Sequence, residues 1–400
     1  MDMLMTAHDA STTLLTAVET LEPFIRHHAD EAERQHQLTL PVVQALTDAG
    51  IFRMCVPRAL GGLEVPPLTF YRVVEAVARL DGSTGWCTFI GGSDGLVGAY
   101  LAPQIAAELF GRDPRVVLAG SVAPAGTATV IAGGYRVSGR WPYASGSQHC
   151  TWLFGLCHVM EGDQPRLTAT GAPEVRMVLI PAAQATILED TWEVSGLVGT
   201  GSHDFTVAQV FVPDAYTWRF GPGMPRGPHY QGPLYQFPLV GLFRLPVSAV
   251  ALGIAQGAIE ACLALAPAKR ATVGPGMLCD QPFFQARIAE AVALVRAARA
   301  WLHAAVQQAW ASTRTSGTAS VAERTDLVLA AVHATRSAAE AVQLVYTVAG
   351  GTANYRRSVL QRALRDVHAV TQHIGTAPQQ YEEAGRMVLG LEPLQPILLW

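Results

Sequence analysis

His373 is the side chain in this sequence best suited to moving a proton. It stands eight residues after Arg365, near the end of a helical run. An imidazole titrates near neutral pH, so it could take a proton from an acidic hydroxyl or hydrogen-bond a reacting oxygen. A histidine at a helix C-terminus also commonly serves the end carbonyls, and both readings stand. His203, between Ser202 and Asp204, either faces a substrate or is satisfied within its loop. Lys269 is the only lysine in 400 residues, so any Schiff-base chemistry rests on it. Six cysteines, Cys55, Cys87, Cys150, Cys157, Cys262 and Cys279, make no CxxC pair, which argues against a zinc ribbon or a thioredoxin-type dithiol. His27, His28 and His36 read as an exposed helix face, and no three-ligand metal pattern stands out. No GxGxxG follows a strand, so no dinucleotide-binding turn is expected.

These groups need a scaffold. Half of the residues are apolar and 15% are charged. That balance excludes a disordered chain and leaves enough apolar side chains for a large core and for subunit interfaces. The length suggests two or three packed units. Net charge is −4, from 28 basic and 32 acidic residues with no Lys/Arg run, so a nucleic-acid partner is not expected. Met1-Asp2-Met3 opens no basic or apolar leader, and the expected location is the cytoplasm, with reduced thiols. The most apolar stretch, 247–266, approaches membrane-spanning length. It contains Gln256 and Glu260 and is mostly alanine and glycine, so it reads as a buried bundle helix and no membrane partner is expected.

Three textures follow one another. Residues 1–114 read as a helical domain, with Leu14, Leu15, Val18, Leu21, Phe24 and Ile25 at helical spacing, a short helix from Pro41 to Gly50, and Ser83 as a candidate cap after the run Leu68 to Leu80. Residues 115–213 read as a compact, barrel-like antiparallel β domain of about seven strands. Val116-Val117-Leu118, Thr129-Val130-Ile131, Tyr135-Arg136-Val137, Trp152-Leu153-Phe154, Val175 to Ile180 and Phe205 to Val212 are its candidate strands, with Gly133-Gly134 as a hairpin turn. Residues 214–237, rich in Gly, Pro and aromatics, read as a linker or lid loop. Residues 238–400 read as a four-helix bundle. One seam runs through Phe284, Ile288, Ala291, Val295, Ala298, Leu302, Ala305 and Ala309, and a second through Val328, Ala331, Thr335, Ala338, Val342 and Val345. The predicted fold class is therefore α+β and multidomain: helices, then an antiparallel β domain, then a helical bundle.

That order and three segments resemble the acyl-CoA dehydrogenase family. Gly139-Arg140-Trp141-Pro142-Tyr143-Ala144-Ser145-Gly146 looks like the strand that lays a Trp and a small hydroxyl residue against a flavin ring. Gly199-Thr200-Gly201-Ser202-His203-Asp204, with Val210-Phe211-Val212-Pro213 after it, is similar to the family's second glycine-rich stretch. Ala349-Gly350-Gly351-Thr352, followed by Arg365-Asp366-Val367, resembles the glycine pair and the Arg-Asp helix of its final bundle. The dehydrogenases carry a catalytic glutamate where this chain has Ile374, and the next carboxylate is Glu382. An isoleucine cannot remove an α-proton. The pattern is instead similar to the oxygenase components of two-component flavin monooxygenases in this family, such as para-hydroxyphenylacetate hydroxylase and dibenzothiophene monooxygenase.

The resemblance implies a reduced flavin, FMN or FAD, supplied by a separate flavin reductase. Oxygen would add at flavin C4a, and the C4a-hydroperoxyflavin would hydroxylate an aromatic small molecule, phenolic or polycyclic. N- or S-oxygenation on the same fold, a dehydrogenase or desaturase with a relocated base, and a ligand-binding scaffold without turnover are the alternatives. A homotetramer is implied as well. By the same resemblance His373 and Ser145 are the catalytic candidates, with Ser145 hydrogen-bonding the N5 and C4a region of the flavin. Trp141 would stack on or edge the flavin ring, and Ser121 would meet its pyrimidine edge. Arg270 would hold a flavin phosphate, and Gly350 and Gly351 would let backbone approach the cofactor. The plain alternatives are a turn serine for Ser145, a core tryptophan for Trp141, a charged helix end for Arg270 and a helix-ending turn for the glycines.

Overall fold

Residues 7–219, 224, 226–272 and 274–399 are described by a computed structural model. Helix α1 (Ala7–Gln35) buries Leu14, Val18 and Ile25 along the expected stripe. Helix α2 (Leu40–Asp48) starts with Pro41 in its first turn, where a missing N–H costs nothing. Helix α3 (Pro67–Leu80) is followed almost directly by α4 (Gly82–Asp94). The cap of α4 is Asp81, whose Oδ2 accepts the Thr84 N–H at 2.8 Å, and not Ser83. The helix starts two residues earlier than expected, so Ser83 already lies inside its first turn. Gly85 matters here, because a Cβ would sit 2.4 Å from the Ala78 Cβ; α4 packs backbone-close on α3. A short helix, α5 (Pro103–Ala106), leads into the sheet.

The sheet holds β1 (Leu118–Ile131), β2 (Gly134–Trp141), β3 (Trp152–Glu161), β4 (Gln164–Pro165), β5 (Val175–Pro181), β6 (Thr186–Leu188), β7 (Asp204–Pro213) and β8 (Thr217–Arg219). Its order is β6-β7-β2-β1-β3-β5-β8, with β4 paired to β3. The expected runs at 116–118 and 129–131 belong largely to one long strand, β1. The β1–β2 hairpin turns at Gly133, at φ 79°. Two expectations need correction. The sheet is mixed, because β3 pairs parallel to β1, and among the described residues seven strands follow an open path, with the two-residue β4 beside β3. A hairpin would have placed β3 beside β2. Instead residues 142–151 carry the chain across the end of β1 to its far side, where β3 runs in the same direction as β1. That crossover segment carries Ser145.

The expected lid stretch, 214–237, lies partly outside the described residues. Its described part includes β8 and a one-turn helix, α6 (Pro233–Gln236), so it is not irregular throughout. The bundle comprises α7 (Val240–Phe243), α8 (Val247–Leu265), α9 (Pro282–Ser316), α10 (Val321–Ala349), α11 (Val359–Thr371) and α12 (Gln379–Val388). Both predicted seams are inside: Ala291, Val295, Ala298, Leu302, Ala305 and Ala309 on α9, and all six named residues on α10. Ile288 is half-buried. The segment Val240–Leu265 is long and apolar enough to cross a bilayer by length and composition, and most of it is buried against α3, α10 and α11. Its polar residues are paired: Glu260 accepts from Arg79 at 2.8 Å, and Gln256 from Arg299 at 3.1 Å. The N-terminal and C-terminal helices thus share one core.

Candidate active site

Three segments converge: α4, the crossover 142–151, and the turn after α11. They bring together Trp86, Ser145 and His373. Trp86 Nε1 donates to Ser145 Oγ at 2.9 Å. Its indole meets the His373 ring edge-on, with centroids 5.6 Å apart and planes at 77°. The turn carrying Ser145 is sharp, with Tyr143 at φ 62° and Gly146 at φ 77°. It is fastened to the second glycine-rich stretch, because Ala144 N–H donates to His203 O at 3.1 Å and Gly146 N–H to Thr200 O at 3.0 Å.

Hydroxyl groups continue from Ser145 in one direction. Thr200 Oγ1 donates to the Leu197 carbonyl at 2.7 Å, an acceptor only. Its single hydrogen is spent there, so the 2.7 Å contact with Ser202 Oγ has Ser202 as donor. By the same count, Ser145 donates to Ser202 at 2.7 Å. Ser145 Oγ therefore accepts from Trp86, gives its hydrogen away from the site, and keeps one lone pair.

His373 Nδ1 accepts the Gly375 N–H at 3.1 Å, so Nε2 carries the ring hydrogen. Burial, and then the Arg244 cation, hold the imidazole down to about 4. At neutral pH the ring is uncharged and presents a donor. Of the two expected uses, proton acceptor or hydrogen-bonding partner of a reacting oxygen, this geometry suits the second. Ile374 is 61% exposed, and its carbonyl accepts from Arg244 at 3.2 Å and from Gln380 at 2.9 Å. Glu382 lies exposed on α12.

The same three segments carry buried polar atoms without a hydrogen-bond partner: Thr88 Oγ1 and Asp94 Oδ2 on α4, Gln148 Oε1 and His149 Nδ1 in the crossover, and Thr376 Oγ1 after His373. Buried polar atoms are ordinarily paired, so each of these is available to a polar ligand or to water. Burial keeps the Asp94 carboxyl well above the usual carboxylate range and holds His149 down to about 4.

The other predicted residues fall elsewhere. Ser121 is buried on β1, where its Oγ accepts the Ala123 N–H at 3.3 Å, beside the break in β1–β3 register. Trp141 is fully buried in the core between β2 and β3. It stacks on Phe205 at 4.9 Å and donates to Leu156 O at 2.9 Å. Gly126, Gly139 and Gly155 lie directly against its ring, leaving no face for a ligand. His203 is 1% exposed, with His36, Leu188 and Glu189 around its ring. His27 is exposed, but His28 and His36 are half-buried. Lys269 and Arg270 lie beyond the end of α8, not on its last turn. Lys269 Nζ donates to Ala349 O, which occupies the only lysine in capping α10, next to Gly350 at φ 59°. Arg270, Gly350 and Gly351 are exposed at that corner. Trp86, Arg244 and the roles of Thr200 and Ser202 were missed by sequence reasoning. A lone tryptophan in the glycine- and hydroxyl-rich helix Gly82–Asp94 was the one available signal.

The N-terminal domain of acyl-CoA dehydrogenase matches residues 10–103, and the C-terminal domain of acyl-CoA dehydrogenase matches residues 245–378. Indole-3-acetate monooxygenase of Pseudomonas putida is 33% identical over 383 residues, covering 94% of each chain. The chain belongs to the acyl-CoA dehydrogenase family, in its flavin-dependent monooxygenase branch. The FADH(2)-dependent resorcinol hydroxylase, oxygenase component, of a Rhizobium species is 31% identical over 95% of each chain. The crystal structure of 3-HSA hydroxylase from Rhodococcus sp. RHA1 superposes with a TM-score of 0.85 at 29% identity, over 96% of this chain and 98% of that one. Within the acyl-CoA dehydrogenase frame, the N-terminal match carries Trp86 and the C-terminal match carries His373. The sheet region between them carries Ser145.

Proposed function

We propose that this protein is the oxygenase component of a two-component flavin-dependent monooxygenase. It takes reduced FMN or FAD from a separate reductase and, with O2, hydroxylates an aromatic small molecule. The observation that carries the reading is the Trp86–Ser145–His373 constellation. It pairs one acceptor lone pair on Ser145 with a neutral imidazole donor, in a buried place where further polar atoms are unpartnered. Reduced flavin carries a hydrogen on N5, which suits an acceptor, and its carbonyls suit donors such as Thr376. When bound it supplies oxygen activation at its C4a carbon. The chain's own residues hold N5–H through Ser145, present His373 Nε2–H to the reacting oxygen or to a substrate hydroxyl, and keep water out. Ser121 offers a hydroxyl to the pyrimidine edge, and the exposed corner of Arg270, Gly350 and Gly351 serves a flavin phosphate from a second subunit.

Aromatic substrates are supported by relatives whose names specify indole-3-acetate and resorcinol. Ile374 in place of a carboxylate disfavours thioester dehydrogenation. Exposed Ile374, Val388, Leu389, Leu391 and Leu394, on the turn after His373 and around the end of α12, support burial by another copy. The proposed assembly is a cytoplasmic homotetramer, with a mass near four times 42.7 kDa by light scattering.

The test mixes the protein anaerobically with chemically reduced FMN or FAD, then adds O2 and indole-3-acetate or resorcinol. Hydroxylated product exceeding released H2O2 is expected, as is turnover from NADH only when a flavin reductase is added. Absence of flavin binding in both redox states would make the chain a non-catalytic scaffold. Bleaching of bound oxidised flavin by an acyl-thioester would make it a dehydrogenase.

A further inference from the structure

Leu197 is one of five non-glycine residues with positive φ among the described residues, at 55°. A β-carbon makes that conformation unfavourable by roughly 1–2 kcal/mol, so it persists only where the surroundings dictate it. The surroundings here come from α11. Asp366 Oδ1 accepts the Leu197 N–H at 2.7 Å. Arg365 Nη1 donates to Ser195 O at 2.6 Å. Gly196 lies so close that a Cβ would stand 2.2 Å from the Arg365 carbonyl oxygen. Asp366 is itself 3% exposed, and its other oxygen lies 2.9 Å from where a Gly82 Cβ would be. The Arg-Asp pair of the sequence therefore grips the backbone of the second glycine-rich stretch.

The same residue, Leu197, also begins the hydroxyl chain. Asp366 holds the Leu197 N–H on one side of its α-carbon, and the Leu197 carbonyl on the other side takes the Thr200 hydrogen. We infer that Asp366 is a positioning residue: by holding the left-handed Leu197 backbone it sets the direction of the Thr200–Ser202–Ser145 chain, and so makes Ser145 an acceptor that prefers reduced over oxidised flavin. Each link passes the constraint on. Thr200 gives its hydrogen to Leu197 O and accepts from Ser202; Ser202 accepts from Ser145; Ser145 has no hydrogen left for the site. Reduced flavin offers N5–H to the Ser145 lone pair. Oxidised flavin offers only a lone pair at N5, which an acceptor repels. Breaking the chain anywhere frees a hydrogen on Ser145 to turn toward the site, and the discrimination falls.

The inference rests on the flavin reading above, and equilibrium binding separates the two. Dissociation constants are measured for oxidised and for dithionite-reduced FMN and FAD, the latter under anaerobic conditions, through protein and flavin fluorescence. Wild type is expected to favour the reduced form. One hydrogen bond reversed in sign should lower the oxidised-to-reduced ratio of dissociation constants about tenfold in Thr200→Val, Ser202→Ala and Asp366→Ala. Asp366→Asn should keep the wild-type ratio, because its amide oxygen still accepts the Leu197 N–H. Thr200→Val and Ser202→Ala leave Asp366 in place and test the hydroxyl chain; a folded Asp366→Ala with the wild-type ratio overturns the role of Asp366. Tight binding of reduced flavin with a wild-type ratio in both hydroxyl variants overturns the inference alone. So does an Asp366→Asn ratio as low as that of the hydroxyl variants. A wild-type protein that binds neither redox form of either flavin overturns the inference and the flavin reading together.

Discussion

His373 as a neutral donor makes a different prediction from His373 as a base, and two substitutions separate them. Glutamine can place an amide N–H where Nε2–H stands but has no basic nitrogen. Alanine removes both. Losing one donor in a buried site costs about 1–3 kcal/mol, or about five- to 150-fold in rate. Losing a positioned general base costs about 10²–10⁴-fold. With its Nδ1 bonded to Gly375 and the ring held down to about 4 by burial and Arg244, the donor case applies. His373→Gln should therefore retain product formation within about tenfold of wild type, while His373→Ala falls by one to two decades, with the lost turnover appearing as H2O2. The assay is a single turnover with chemically reduced flavin, O2 and an aromatic substrate, quantifying product and peroxide. The wild-type rate should show no limb near pH 6.5 that either variant abolishes. If His373→Gln is as poor as His373→Ala, and wild type rises through a single pKa near 6.5 that both lose, the donor assignment is wrong.

Trp86→Phe removes the donor to Ser145 and keeps an aromatic ring beside His373 and Phe89; product per flavin oxidised should fall several-fold, by about one hydrogen bond, and an unchanged product-to-peroxide ratio would free Trp86 from the site. Trp141→Ala should cost about 3–5 kcal/mol of stability, read in chemical denaturation, because it empties a core packed by Phe205 and three glycine backbones. Loss of flavin affinity without loss of stability would restore Trp141 to the site. Acid sensitivity should follow from two signs. His149 and His373 are held to about 4, below the ordinary 6.5, so the unfolded chain takes protons first and each costs about 2 kcal/mol between pH 8 and pH 5. Asp366 is pushed up to about 7, chiefly by burial and then by Asp81, so the folded chain takes its proton first and gains stability as pH falls from 7 toward 3.8. Denaturation midpoints at pH 8 and pH 5 should therefore diverge less than wild type in His373→Gln and more in Asp366→Asn; the opposite order would refute both assignments.

The seams of α9 and α10, the stripe of α1 and the β-branched runs were legible in the chain because burial follows a local period that any reader of spacing can see. His373 and Ser145 stood out as candidates for a different reason: they sit in short stretches that resemble a family's pattern. What local pattern cannot contain is which strand lies beside which. The crossover 142–151 sends β3 to the far side of β1, and that choice rests on packing between residues far apart in the chain. Trp141 shows the cost: adjacent in sequence to the Ser145 turn, it belongs to a core, because the strand buries one face and the turn after it presents the other. Trp86 and Asp366 acquire their roles only through partners 59 and 169 residues away, Ser145 and Leu197. The proton state of His373 is likewise tertiary, since burial and Arg244 decide it. The sequence by itself determined the elements and the types of chemical groups; tertiary structure decided which hydrogens point into the site, because direction in a hydrogen-bonded chain is set by its partners and not by the residues alone.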